Sequence, residues 1–177
     1  MKSAEKQIVL LTLVGTTPAI LTETVYALAH RKPAILPDRI VAVTTAGGRS
    51  ILLEQLFQRN NWAALRHKLA ASRKIPDDKL RFGPIAECVR VFPSADRKTE
   101  LEDIRTAADN EAVAEFLMEV VRSFTDNDTA STVRVMYVFK YLPNEECWYG
   151  SRLASSTRMT AEAIIGGSNE IPRAATI

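Results

Sequence analysis

The sequence has few residues of the kinds that ligate metals or form cross-links. Its 177 residues include only two cysteines, Cys88 and Cys147, and two histidines, His30 and His67. The cysteines lie far apart and there is no Cys-x-x-Cys or His-rich tract, so neither a disulfide framework nor a zinc site is indicated. We therefore expect reduced thiols, no bound metal, no cofactor and a cytoplasmic protein.

The sequence also lacks an excess of charge of one sign and any long hydrophobic run. Lys+Arg number 23 and Asp+Glu 21, which gives a net charge of only +2. Such a charge creates no field that indicates binding of long nucleic acids or membranes, although a local anion site remains open. The apolar runs, such as Ile8 to Leu11, are too short to span a bilayer, and we expect no cleavable signal peptide after Met1.

The sequence does contain an alternation of β-prone and helical segments. With 46% hydrophobic and 25% charged residues, it is typical of one globular domain. Strands are predicted at Ile8–Val14, Ile40–Val43, Cys88–Phe92 and Val133–Phe139, and helices at Ala19–Ala29, Ser50–Ala71 (interrupted near Asn60–Asn61), Ala107–Phe124 and, as a short element, Arg158–Ile165. This order predicts an α/β fold with a doubly wound, mainly parallel sheet and helices on both faces.

Three loops are expected at the carboxyl ends of these strands, where α/β sheets bind their ligands. They are Gly15–Pro18, Thr44–Gly48 and the segment around Asp103–Thr106. The glycines of the first two loops would let a ligand approach the backbone closely. The helix N-termini behind the loops would present free N–H groups and a partial positive charge. The pattern therefore indicates a phosphate or nucleotide site.

Each of these residues also has an explanation that needs no ligand. Thr17 fits an N-cap with Pro18 at the first helical position, and Gly47-Gly48 fits a turn before a helix that begins at Ser50. Arg105 fits a surface ion pair. Thr106 with the carboxylate three residues later resembles a capping box. Neither a Gly-x-Gly-x-x-Gly fingerprint nor a P-loop is present.

The same loops resemble a known family. The segment Ile8–Ala29, with Val14-Gly15-Thr16-Thr17-Pro18 followed by Thr22-Glu23-Thr24-Val25-Tyr26-Ala27-Leu28-Ala29, is similar to the opening of ring nucleases of the CRISPR-associated Rossmann-fold (CARF) group. The similarity continues in Pro37–Ile40, in Thr44–Gly48 and most sharply in Leu101–Thr106 with Asp109–Ala112. It covers residues 8 to about 135.

The resemblance implies a Rossmann-like domain, assigned to residues 1–140, and a homodimer that binds a cyclic oligoadenylate, the tetra-adenylate foremost. Members of the family cleave this messenger without a metal and so switch off the type III CRISPR response. A ribose 2′-hydroxyl attacks the adjacent phosphate and leaves a 2′,3′-cyclic phosphate. The family's hydroxyl position corresponds to Thr17. The ligand-binding positions are Gly15, Thr16, Thr45, Gly47, Gly48, Arg105 and Thr106.

The sequence departs from the family after the fourth strand, and residues 141–177 are a divergent segment. Where the family has a Gly-Gly-Arg-Lys-Thr-Met loop, this chain has Met136–Pro143, and Lys140 is a poor substitute for the family's lysine. A shifted reading frame or a truncation of the gene is the hypothesis for this departure. Two alternatives to a ring nuclease therefore stay open, a sensor or sponge that binds the ring without cleaving it and an inactive remnant.

Overall fold

A computed structural model describes residues 7–125 and the backbone of two strands, Arg134–Phe139 and Ala161–Ile165. The strands are β1 (Ile8–Leu13), β2 (Arg39–Thr44), β3 (Val89–Val91), β4 (Arg134–Phe139) and β5 (Ala161–Ile165). The helices are α1 (Ala19–Ala29), α2 (Ala46–Leu52), α3 (Asn61–Ser72) and α4 (Ala107–Thr125), with a π-helical turn at Leu53–Gln58 between α2 and α3.

The five strands form one parallel sheet in the order β3-β2-β1-β4-β5. The chain runs outward from β1 through β2 to β3 and then crosses back to β4 on the other side of β1. The reversal places a topological switch point between β1 and β4, at the carboxyl ends of their strands. The predicted doubly wound, parallel α/β fold is confirmed.

Alternate residues of the central strands face two separate cores because side chains of a strand point to opposite faces. Leu10, Ile40 and Ala42 pack against α1, the α2 region and α3. Val9, Leu11, Val41 and Val43 pack against α4. Helices therefore cover both faces of the sheet, which explains why the sequences of β1 and β2 are almost continuously apolar.

Two predicted elements differ from the structure. The second helix was expected from Ser50 and begins instead at Ala46, so that Gly47 and Gly48 lie in its first turn and do not form a separate turn. The short helix predicted at Arg158–Ile165 is wrong, because Ala161–Ile165 pairs with β4 as the fifth strand. The predicted interruption near Asn60–Asn61 is confirmed, since Asn60 adopts the left-handed conformation between the π-helical turn and α3. The division into a domain of residues 1–140 and a segment of 141–177 stays a prediction.

At the amino ends of β1 and β2, Asp38 links three parts of the chain. Its Oδ2 accepts the Ile8 N–H at 2.6 Å, and its Oδ1 lies 2.6 Å from Nζ of Lys79. Both side chains are largely buried, with 14% of Asp38 and 18% of Lys79 exposed. The carboxylate therefore holds the first residue of β1 against the loop that precedes β3.

We expect Asp38→Asn to lower the free energy of unfolding by about 1 kcal/mol. The amide oxygen can still accept the Ile8 N–H, while the attraction to Lys79 is lost and the ammonium can turn to solvent. Urea denaturation of both proteins measures the difference. Lys79→Gln should reproduce most of the loss, and a Lys79→Gln variant as stable as the unsubstituted protein would contradict the role of the pair.

Candidate functional site

The loop after β1 is open to solvent at the switch point. Gly15, Thr16 and Thr17 are exposed, and a Cβ at Gly15 would meet no atom within 4 Å. The end of β1 is fixed by a hydrogen bond from the Val14 N–H to the carbonyl oxygen of Val43, 3.0 Å long. The strand therefore holds the loop in place while leaving its peptide groups and hydroxyls accessible.

Thr17 does not cap α1, contrary to one of the two interpretations of the sequence. The N-cap position is Pro18, and no side chain caps the helix. The Thr17 carbonyl accepts the Ile20 N–H at 3.3 Å, so the backbone enters the helix without its hydroxyl. Neither Thr16 nor Thr17 makes a side-chain hydrogen bond to another residue of the described part of the chain. Both hydroxyls are available to a ligand.

The first turn of α2 packs tightly onto the ends of β1 and β2. Thr45 is its N-cap, with Oγ1 accepting the Gly48 N–H at 3.2 Å. A Cβ on Gly48 would overlap Oγ1 of Thr44 and lie 3.4 Å from the carbonyl oxygen of Val14. Only a residue without a side chain fits this position, so the glycine brings the helix onto the strand ends.

Thr44 was not among the predicted site residues. It is 1% exposed, and its Oγ1 has no hydrogen-bond partner among the described residues. Its position was readable from the period of two in β2, since Ile40, Ala42 and Thr44 alternate onto the face that α2 covers. Threonine there places a hydroxyl directly beneath Gly48.

The segment between β3 and α4 packs against the N-terminus of α2. The Leu101 carbonyl accepts the Ala46 N–H at 2.9 Å, and Glu102 Oε1 lies 3.3 Å from the position of a Cβ on Gly47. Arg49 of α2 forms a bidentate ion pair with Glu100, at 2.5 and 2.6 Å. The end of β1 and the first turn of α2 are therefore in contact, and residues 100–102, which precede the predicted Asp103–Thr106 segment, pack against the start of α2.

Arg105 lies at the exposed end of this arrangement. Its Nε is 3.3 Å from Oδ2 of Asp103, and 76% of its side chain is exposed. The expected surface ion pair is confirmed, but a pair so exposed is weak and leaves the guanidinium free to bind another anion. Among the described residues, no hydrogen bond or ion pair joins Arg105 to the loop after β1, so the structure shows no direct link between those two predicted parts of the site.

The predicted capping box at the start of α4 is confirmed. The Asp109 N–H donates to Oγ1 of Thr106 at 3.1 Å, and Oδ2 of Asp109 accepts the Thr106 N–H at 2.9 Å and that of Arg105 at 3.1 Å. The Thr106 hydroxyl therefore caps its own helix and is already hydrogen-bonded. These bonds, led by the one from the Arg105 N–H, lower the pKa of the Asp109 carboxyl.

This lowered pKa predicts a pH-dependent stability difference between the protein and its Asp109→Asn variant. The carboxylate stabilises the fold at pH values above the pKa of an unfolded aspartate, about 3.9. The contribution is lost as the pH falls through the lower folded-state pKa. Thermal unfolding should therefore separate the two proteins at neutral pH, and the gap should close in acid. A gap unchanged down to about pH 2 would contradict the assignment.

No metal centre is evident at this edge. Among residues 7–125, no group of three or more His, Cys, Asp and Glu side chains is placed to hold an ion, and the expectation of a metal-free site stays a prediction. None of the helices in the described part of the chain is long and apolar enough to cross a membrane. Within residues 7–125, this edge offers a ligand exposed hydroxyls, peptide N–H groups and the exposed guanidinium of Arg105, which is paired with Asp103.

Comparison with known families identifies the chain. The family model described as CRISPR-associated protein NE0113 (Cas_NE0113) matches residues 17–136, which is more than half of the sequence. The chain belongs to this CRISPR-associated family. The NE0113 match begins at Thr17, within the loop after β1, and continues through α1, α2 and α4 into β4. No curated protein and no solved structure matches the chain.

Proposed function

We propose that this protein binds a cyclic oligoadenylate at the carboxyl edge of its sheet and cleaves it as a metal-independent ring nuclease, with cyclic tetra-adenylate as the substrate. The observation that carries the proposal is the exposed Gly15-Thr16-Thr17 loop, which lies at the switch point with both hydroxyls uncommitted. Membership of a CRISPR-associated family and the resemblance of this loop to CARF ring nucleases support the choice of ligand.

In this reaction the protein has two tasks. It positions the ribose 2′-hydroxyl for attack, and it stabilises the negative charge on the phosphoryl oxygens. The 2′-oxygen of one ribose forms a bond to the adjacent phosphorus as the bond from that phosphorus to the 5′-oxygen of the next nucleotide breaks. The proton of the 2′-hydroxyl leaves, and the 5′-oxygen gains a proton. The phosphoryl oxygens carry more negative charge in the transition state, and a hydroxyl donating to one of them stabilises it. We assign this donor to Thr17, with Gly15 leaving room for the phosphate.

The other predicted residues have separate roles in this proposal. Thr45 and Gly48 hold the N-terminal turn of α2 against the strand ends. Gly47 has no side chain that would fill the space above this turn. Arg105 is a phosphate contact at the rim. In a homodimer with the ring on its two-fold axis, each protomer would supply one loop after β1.

A test of this proposal is to incubate the full chain with cyclic tetra-adenylate in the presence of EDTA. Attack by a 2′-hydroxyl opens the ring without adding atoms, so the linear product has the mass of the ring and carries a cyclic phosphate. Hydrolysis by water would add the mass of one water molecule. Chromatography with mass spectrometry distinguishes these outcomes. A ring that is neither bound nor opened by folded protein would refute the proposal.

A sensor that binds the ring without cleaving it is the second candidate. One observation favours it. No lysine forms a hydrogen bond or an ion pair with the β1–α1 or β2–α2 loop in the part of the chain that the structure describes, so no lysine there is placed to stabilise the transition state of cleavage. Retention of the intact ring with no product over many hours would assign the protein to this class.

We expect Arg105→Ala to weaken ring binding at low salt by about threefold to tenfold, because it removes one exposed guanidinium from a phosphate. The difference should shrink as salt is added, since salt screens exposed charges. Binding titrations at several salt concentrations measure it. Lys98→Ala removes an exposed charge from the same β3–α4 segment and serves as the control. Equal affinities of all three proteins at every salt concentration would reject the contact.

A further inference from the structure

Although the net charge of this protein is small, its basic and acidic residues are unevenly distributed along the chain. Residues 24–37 and 60–76 contain six Lys and Arg and no Asp or Glu. The remainder of the chain then holds 17 basic and 21 acidic residues, an excess of negative charge. Both acid-free stretches belong to the helical layer of α1 and α3, on one face of the sheet. Within the described residues, a concentration of positive charge therefore lies on the face of the sheet that α1 and α3 cover.

The structure brings the cations of the two stretches together. Nζ of Lys68, in α3, lies 4.9 Å from the centre of the Tyr26 ring in α1, and the Tyr26 and His30 rings are 4.1 Å apart. Both helices connect parallel strands, so they run in the same direction. The contact falls about one turn before the end of each helix. The residues that follow the two helices, Arg31, Lys32, Arg73 and Lys74, therefore leave the same end of this pair of helices.

These cations have no internal partners to neutralise them. We call Arg31, Lys32, Lys68, Arg73 and Lys74 the α1–α3 basic surface. None of the five forms an ion pair within the described residues, and Lys32, Lys68 and Lys74 are exposed. The nearest carboxylates along the chain, those of Glu23, Asp77 and Asp78, form no ion pair with these cations among the described residues.

We propose that the α1–α3 basic surface binds a single-stranded nucleic acid through its phosphates. Clustered Lys and Arg on one face are the electrostatic mark of such a partner. The exposed rings of Tyr26 and His30 lie within the cluster, and aromatic rings beside cations suit unpaired bases. A lipid surface fits less well, because residues 24–37 and 60–76 present no exposed large aliphatic side chain, and Tyr26 is the one large apolar residue exposed there.

The surface is distinct from the proposed ring site. It lies at the carboxyl ends of α1 and α3 and hence toward the amino edge of the sheet, whereas the loop after β1 is at the carboxyl edge. The inference also reverses the expectation, drawn from the net charge, that long nucleic acids are not partners. It stands whether or not the protein binds a cyclic oligoadenylate.

The test is fluorescence anisotropy of the full chain with a labelled single-stranded RNA of about 20 nucleotides, and with a DNA of the same sequence, from about 50 to 200 mM salt. Binding should weaken steeply with salt. Lys68→Gln/Lys74→Gln should weaken it at least fivefold at the lowest salt and reduce the slope of log affinity against log salt by about 1.4. Equal binding of the RNA and the DNA means recognition of phosphates, whereas preference for one assigns the natural partner.

A matched control separates a local site from general charge. Lys98→Gln removes an exposed, unpaired lysine in the segment between β3 and α4 and should change RNA affinity less than twofold. Circular dichroism checks that each variant is folded. The proposal is overturned if Lys98→Gln has the same effect as the double variant, if affinity does not depend on salt, or if polyglutamate competes as well as RNA. Ring cleavage is measured separately on the same samples, so a protein that leaves cyclic tetra-adenylate intact but binds RNA as described would refute the ring proposal alone.

Discussion

Replacing Thr17 with alanine should slow cleavage of cyclic tetra-adenylate by about 10²- to 10³-fold, the cost of losing one donor to a developing phosphoryl charge. The affinity for the intact ring should change by less than about threefold, because the ground-state phosphate is less charged and the loop backbone remains. The separation is expected because the Thr17 hydroxyl caps no helix and its removal breaks no hydrogen bond within the described residues. Single-turnover rates and equilibrium binding on the same samples measure the two effects.

Two further variants test whether the Thr17 hydroxyl itself causes the loss of cleavage rate. Thr17→Ser keeps the hydroxyl and should restore most of the rate, while a purely steric role of the threonine methyl group would leave it slow. Thr16→Ala removes the neighbouring exposed hydroxyl and shows which of the two acts on the phosphate. An equal loss of cleavage and binding in Thr17→Ala, or no loss of either, would refute a role confined to the transition state.

The sheet was predictable because its central strands are buried on both faces. Ile8–Leu13 and Arg39–Thr44 are short, β-prone and nearly continuous in apolar residues, a pattern that indicates a parallel sheet. Helix α1 was predicted because its buried residues repeat at helical spacing, although its N-cap was placed one residue early, at Thr17. In these elements, local preference and tertiary environment favour the same conformation.

Other elements were not predictable because distant contacts decide them. Gly47 and Gly48 favour a turn by local preference, yet they open α2, since the strand ends leave no room for a Cβ at Gly48. Ala161–Ile165 is compatible with a helix or a strand, and pairing with β4 decides for the strand. At the candidate site, the loops and their glycines were readable from the sequence. The free Thr17 hydroxyl, the buried Thr44 hydroxyl and the approach of Glu102 required the structure.

Gly48→Ala should lower the free energy of unfolding by about 2 kcal/mol, the usual size of an overpacking penalty. The new methyl group would overlap Oγ1 of Thr44, which is buried beneath α2, and would press on the carbonyl oxygen of Val14. The better helix propensity of alanine, worth up to about 1 kcal/mol, offsets only part of this cost. Urea denaturation measures the difference. Gly83→Ala is the matched control, because a Cβ there meets no atom within 4 Å, and it should change stability by less than about 0.5 kcal/mol.

A double-mutant cycle with Thr44→Ala tests the cause of that loss. Thr44→Ala removes the overlapping oxygen, and because this hydroxyl has no partner among the described residues, its own removal should cost less than about 1 kcal/mol. The double variant should then recover at least about 1 kcal/mol relative to the sum of the single changes, as expected for residues in direct contact. Simple additivity would show that Gly48 is required for another reason, such as its contact with the Val14 carbonyl oxygen. If the recovery is found, it shows that α2 can lie this close to the strand ends because residue 48 has no side chain above Thr44. The pair then sets the distance between α2 and the edge of the sheet where the phosphate would bind.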